Sequence, residues 1–176
     1  MYDRVIWPEK YDPKTSAIYA LNEIDVKAPP GVVWKLLVDA ENWSSYFPPE
    51  DQVKILSGER ELARGTKYSR VTVGFPMSLV VTECEPFRRL AWATTVDGDD
   101  TGSSAYHGWV ITPTDDGCHV LTEETQQGSW FLDELGRKRP GGLYRYHQEW
   151  VERLASAAEA KVEVKGRAGQ GWRSLK

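Results

Sequence analysis

The sequence contains no apolar run approaching the roughly 18 residues needed for a membrane-spanning helix, so no membrane span is expected. Cysteine is scarce. Cys84 and Cys118 fall in separate strand-like runs without metal-type spacing and read as small buried hydrophobes of a reducing compartment. The three histidines, His107, His119 and His147, share no metal-ligand spacing either. No glycine-rich loop follows a strand and opens a helix, and no Gly-x-Ser-x-Gly elbow occurs, which removes phosphate cradles and hydrolase-type serine nucleophiles. Positive charge is in deficit: 22 Lys and Arg against 26 Asp and Glu give a net charge of −4, which argues against nucleic acid as the partner. Met1 to Ser16 carries charges and prolines where a secretion signal needs an apolar stretch, so the expected location is cytoplasmic. The acidic run Asp97-Gly98-Asp99-Asp100 lacks the spacing and closing Glu of a calcium loop and reads as a solvated turn.

Aromatic side chains are plentiful. Eight Trp and eight Tyr in 176 residues exceed what packing requires and suit walls that touch an apolar ligand and a few polar groups. The long C-terminal run Gly142 to Lys165 has helical periodicity. Leu143, His147, Trp150, Val151, Leu154, Ala157 and Ala158 form one stripe, and Glu149, Glu152, Arg153, Ser156 and Glu159 form the other side. A stripe holding a His and a Trp beside Tyr146 suits the lid of a cavity.

Ahead of it lie seven strand-like runs. Ala17 to Val26 is the first. Ala28-Pro29-Pro30-Gly31 then opens a short helix, and Asp39 to Phe47 forms a second. Gln52 to Leu56, Thr66 to Phe75, Ser78 to Glu85, Arg89 to Val96, Ser103 to Thr112 and His119 to Gln127 follow, with Pro76 as a break and a hairpin over Pro113 to Gly117. Gly128 to Arg139 is a linker with one amphipathic turn. Short turns make antiparallel neighbours, and only the terminal helix is long enough to cover the sheet. The expected organisation is an irregular segment 1–16, one domain over 17–165, and a flexible basic tail over 166–176.

Three phrases resemble the START-like superfamily (the helix-grip or Bet v 1-like fold), in its polyketide cyclase/dehydrase-like branch. They are Glu23 to Pro30 leading into Val33-Trp34-Lys35-Leu36-Leu37 and Asp39 to Trp43, then Glu83 to Trp92, then His107 to Pro113 with Gly117 to Glu124. The resemblance implies an α+β fold: a seven-stranded curved antiparallel sheet wrapped around the long helix, with two short helices after the first strand. It implies a hydrophobic small molecule held between sheet and helix.

Strand alternation turns His107, Trp109 and Ile111 inward, along with Val120, Thr122, Glu124 and Gln126, and Leu90, Trp92, Thr94 and Val96. His119 falls on the opposite face, toward solvent, and Tyr106 faces outward. His107 and Glu124 then share the concave surface, and His147 approaches from the helix. Burial is expected to raise the carboxyl and lower the imidazoles, which is the equipment of proton transfer. Each also has a plainer reading: His107 as a satisfied core group, Glu124 as a structural bond to His107 or Arg70, His147 as a half-buried flank. Trp92, Trp109, Trp150, Tyr146 and Thr122 are candidate ligand contacts. Arg70 is another, although Val71, Val73 and Phe75 compete for the inner face. No cofactor and no metal is expected, a spatial His107/Glu124/His147 ion site being disfavoured.

The leading reading is a cavity for a flat apolar molecule, with cyclisation or dehydration by Glu124 and His107 and with His147 orienting or donating. The alternative is a non-catalytic carrier of lipid, quinone or another hydrophobic ligand. A third reading is an interaction module whose cavity has collapsed. An exposed strand edge and the aromatic linker Trp130 to Leu135 leave room for a homodimer, and the linker's glycines for a gate.

Overall fold

The computed structural model of the chain describes residues 3–50 and 52–170, without the side chains of 165–170. The strands are β1 (Ile18–Val26), β2 (Lys54–Ile55), β3 (Lys67–Thr72), β4 (Phe75–Glu85), β5 (Arg89–Val96), β6 (Ser104–Thr114) and β7 (Gly117–Gln127). Helix α1 (Pro30–Val38) and a 3₁₀ segment (Ala40–Ser45) follow β1, and α2 (Gly142–Gln170) ends the described chain. All seven strands form one antiparallel sheet in the order β1-β7-β6-β5-β4-β3-β2, the α+β helix-grip architecture expected. Helix α2 runs past Lys165 to Gln170. Of the expected basic tail, residues 171–176 lie outside the described residues.

Proline does not break β4. Val71 pairs with Pro76 and Thr72 with Phe75, so Val73-Gly74 is a two-residue hairpin turn with both φ positive, 48° and 88°. The Pro76 carbonyl accepts from Asp97 N, 3.1 Å away and just past the end of β5. Its ring nitrogen therefore faces the side where no partner strand needs a donor. A register shift between Val81 and Glu83 bends the sheet.

The concave face packs on α1 and α2 through Val33, Leu37, Trp150, Val151, Leu154 and Ala158, all buried. The convex face is covered too, by the segment expected to be merely irregular. Val5, Trp7 and Tyr11 pack over Ala91, Tyr106, Val110 and Leu121. Gly108 makes room for this strap: a Cβ there would stand 2.6 Å from Val5 Cγ2. Glu123, 1 % exposed, accepts from Val5 N (3.0 Å), Arg4 Nε (3.1 Å) and the Tyr19 hydroxyl (2.6 Å). His119 does lie on the convex face, but not in solvent. It is 6 % exposed and held by Asp25 at 2.8 Å and Glu23 at 3.3 Å.

Candidate functional site

Cross-strand pairing sets His107 of β6 directly opposite Glu124 of β7, and the period of two puts Thr122 and Gln126 on the same face. The helical stripe of α2 delivers His147 above them. Glu124 Oε2 lies 3.1 Å from His107 Nδ1 and 3.2 Å from His147 Nε2. Its Oε1 accepts from Gln126 Nε2 at 2.6 Å. The His107 contact is close but poorly aligned, since Nδ1 makes no directed hydrogen bond. Its other nitrogen is 2.7 Å from Thr122 Oγ1. Thr122 thus anchors an imidazole and is not among the residues that line the cavity described below.

Burial pushes the Glu124 carboxyl up, but the hydrogen bond and charge of His147, with Arg70 and Gln126 behind them, outweigh it, and its pKa falls below the usual range. The expected upward shift is therefore reversed. Burial, with the charges of His147 and Arg70, drives His107 well below the ordinary imidazole value. An ionised Glu124 can only accept, so the His147 nitrogen facing it carries the hydrogen. The opposite nitrogen, His147 Nδ1, has no partner among the described residues.

A second buried carboxylate lies alongside, one that the sequence reading missed. Glu50, 1 % exposed, accepts from Arg70 Nη1 at 3.0 Å and from the Tyr146 hydroxyl. Burial raises its carboxyl, only partly countered by Arg70 and Tyr146. Arg70 is thereby placed on the inner face, 5 % exposed, with Nε unpartnered among the described residues. Nothing in the pattern marked Glu50, which follows Pro48-Pro49 outside any periodic element.

Arg70, Glu124, Tyr146 and His147 line a cavity of about 80 Å³, closed on one side by Phe131 and Leu135. These last two belong to a π-helical segment, Phe131–Arg137, so the linker forms the cavity's cover. Trp130 packs on Phe75 at 4.8 Å, which turns the linker's aromatics onto their own domain and removes one ground for a homodimer. The tryptophans are placed differently from the expectation. Trp92, Trp109 and Trp150 enclose His107 at ring distances of 4.7, 5.5 and 5.8 Å and do not line the cavity.

His107, Glu124 and His147 offer ligand atoms within 4.8 Å of one another. The imidazoles lie nearly parallel, 24° apart with centroids at 4.4 Å, whereas a tetrahedral ion requires lone pairs that converge. The charge of Arg70 is also felt at this cluster, where it adds to the lowering of His107.

A family profile described as polyketide cyclase / dehydrase and lipid transport matches residues 21–159. No curated protein matches the chain. Among solved structures, a hypothetical protein of Helicobacter pylori superposes with a TM-score of 0.82 at 24% identity, over 90% of this chain and 98% of its own. A norcoclaurine synthase point mutant of Thalictrum flavum gives 0.61 at 14% identity, over 82% and 96%. The di-domain ARO/CYC StfQ of the steffimycin biosynthetic pathway gives 0.65 at 14% identity, over 82% of this chain and 52% of its own. At these identities the likeness is one of fold.

Proposed function

The chain belongs to the polyketide cyclase / dehydrase and lipid transport family, and on that premise we propose that it binds a small, largely apolar carbonyl compound between sheet and α2 and moves a proton on it. The observation that carries this reading is the state of His147: one ring nitrogen tied to Glu124, the other unpartnered, in a residue that lines the cavity. In that arrangement His147, not Glu124, is the base. Nδ1 takes a proton from the carbon next to the guest's carbonyl. The C–H electron pair becomes the new C=C bond, and the carbonyl π pair moves to oxygen. Ionised Glu124 steadies the imidazolium, and Arg70 Nε–H faces the enolate charge. In a guest with a second carbonyl, the enolate carbon forms the new C–C bond, and the resulting alkoxide takes the proton back from His147. Removal of a second α-proton, with protonation of the departing hydroxyl, releases water.

A cavity of about 80 Å³ is below the roughly 300–1,000 Å³ of ordinary ligand pockets. A polyketide-sized guest therefore requires the π-helical cover to move. Such segments recur at functional sites, and this one is flanked by Gly128 and Gly141 with φ of 93° and 67°.

The carrier reading is favoured by a different observation: every oxygen of Glu124 is already engaged. Deuterium exchange at the α-carbon of butyrophenone in D2O, followed by proton NMR, separates the two. Catalysed exchange that disappears in His147→Gln is expected. Saturable binding of butyrophenone without exchange would establish the carrier and overturn proton transfer.

A further inference from the structure

Four buried polar atoms of residues that line the cavity have no partner among the described residues: Arg70 Nε, Thr72 Oγ1, Gln126 Oε1 and His147 Nδ1. The proton transfer uses Arg70 and His147. It leaves Thr72 and Gln126 without a role, and a buried polar group without a partner requires a reason.

Gln126 restricts what the pair can take. It is 2 % exposed. Its Nε2 donates to Glu124 Oε1 at 2.6 Å. An ionised carboxylate only accepts, so the amide cannot turn over, and its carbonyl oxygen is held away from Glu124. That oxygen accepts and never donates, so its complement on a guest is an N–H or O–H group. A protonated amine would share the small cavity with the Arg70 guanidinium, which leaves a neutral hydroxyl. Gln126 also borders a neighbouring chamber of about 150 Å³. Thr72, whose hydroxyl can give or receive a hydrogen bond, lines the cavity with His147 and not that chamber, which gathers the two unused groups around one guest.

Glu124 sets where the hydroxyl falls. One oxygen of its carboxylate holds Gln126 and the other holds His147, so acceptor and base stand side by side. The hydroxyl then lies next to the carbon that gives up its proton.

We propose that Gln126 is a specificity-determining residue of this site, and that the guest is a β-hydroxy ketone whose hydroxyl donates to Gln126 Oε1 while its α-carbon faces His147. This rests on the proton-transfer reading above and narrows its substrate class. Gln126 takes no proton. An analogue without the hydroxyl leaves its oxygen unpaired, and a site built around a hydroxyl rejects such an analogue.

Three ketones built on one skeleton test it: butyrophenone, 3-hydroxy-1-phenylbutan-1-one, and the methyl ether of the latter, which keeps the oxygen and loses its hydrogen. Dissociation constants are read from the initial amplitude of tryptophan quenching. In the wild type the alcohol is expected to bind about tenfold tighter than either of the others, the scale of one hydrogen bond to a group otherwise left unpaired. Gln126→Met removes the acceptor at similar side-chain length and should bring the alcohol level with butyrophenone. Its lost bond to Glu124 acts on both ketones alike, so their ratio reports the acceptor. A wild-type ratio near one, an ether as tight as the alcohol, or a preference that survives in Gln126→Met overturns the assignment, and the first two need no variant. Its failure is distinguishable from that of its parent: His147-dependent exchange of butyrophenone without preference for the alcohol sinks only the role of Gln126. If none of the three binds, both are overturned.

Discussion

His147 Nε2 stands 3.2 Å from Glu124 Oε2, and the opposite nitrogen of the same ring has no partner among the described residues. In the proposed mechanism the two residues divide a labour that the sequence reading assigned to Glu124 with His107: Glu124 fixes the tautomer, and His147 presents the base.

Replacing Glu124 by Gln keeps the shape and removes the charge. The ring of His147 is then free to adopt either tautomer, and its imidazolium loses a counter-ion. Ketone α-proton exchange should fall on the order of a hundredfold, within the 10²–10⁴ typical of a positioned general base, while butyrophenone affinity changes little. The check is NMR exchange at saturating ketone. An unchanged exchange rate would remove Glu124 from the mechanism.

Stability should fall with acid through His107. Burial, then the charges of His147 and Arg70, hold its ring well below the ordinary 6.5. Unfolding restores that value, so the unfolded chain binds the extra proton below about pH 6.5, and stability present above it is lost as pH falls. Glu124, also depressed, acts in the same direction from about 4.5 downward. Glu50 is raised and acts oppositely: its contribution is present below 4.5 and lost as pH rises through its folded value. Urea unfolding between about pH 7 and 5 should show a declining midpoint, with a shallower decline in His107→Gln. Equal slopes would show that His107 is not the titrating group.

Glu50 and Arg70 form a buried pair at 3.0 Å. Removing one member strands the other, at a cost of about 3–5 kcal/mol. Glu50→Gln should lose stability on that scale in urea titrations, and Glu50→Gln/Arg70→Met should recover much of it. A double variant no better than the single would mean that Arg70 is stabilised by groups other than Glu50.

How much of this was legible depended on periodicity. His107 and Glu124 face each other because β6 and β7 alternate cleanly, and the α2 stripe identified His147 and Trp150 for the same reason. Arg70 was ambiguous because Val71, Val73 and Phe75 mimic an inner face. In fact β3 ends at Thr72 and Val73 belongs to the turn, which leaves Tyr68 and Arg70 facing inward. Glu50 belongs to no repeating element. The convex strap depends on contacts such as Arg4 with Glu123, 119 residues apart, which no local pattern reports. The aromatic surplus was read as cavity wall. In the fold the rings satisfy one another, Trp43 on Trp150 at 5.0 Å and Phe47 on Trp150 at 4.9 Å.

The cover over the cavity gives the last prediction. Phe131 is 1 % exposed and lines the small chamber from the π-helical segment. Truncation to Ala removes its packing, with a loss of about 3–5 kcal/mol for a well-buried Phe. It also opens space against Tyr146 and Leu135, which a guest can fill. Two opposite signs are therefore expected from one substitution: a lower unfolding midpoint, and faster association of butyrophenone in stopped-flow tryptophan quenching. If the cover is a passive part of the core, Phe131→Ala destabilises the fold and leaves the association rate where it was. A slower rate would mean that Phe131 is part of the binding surface, and that the guest enters elsewhere.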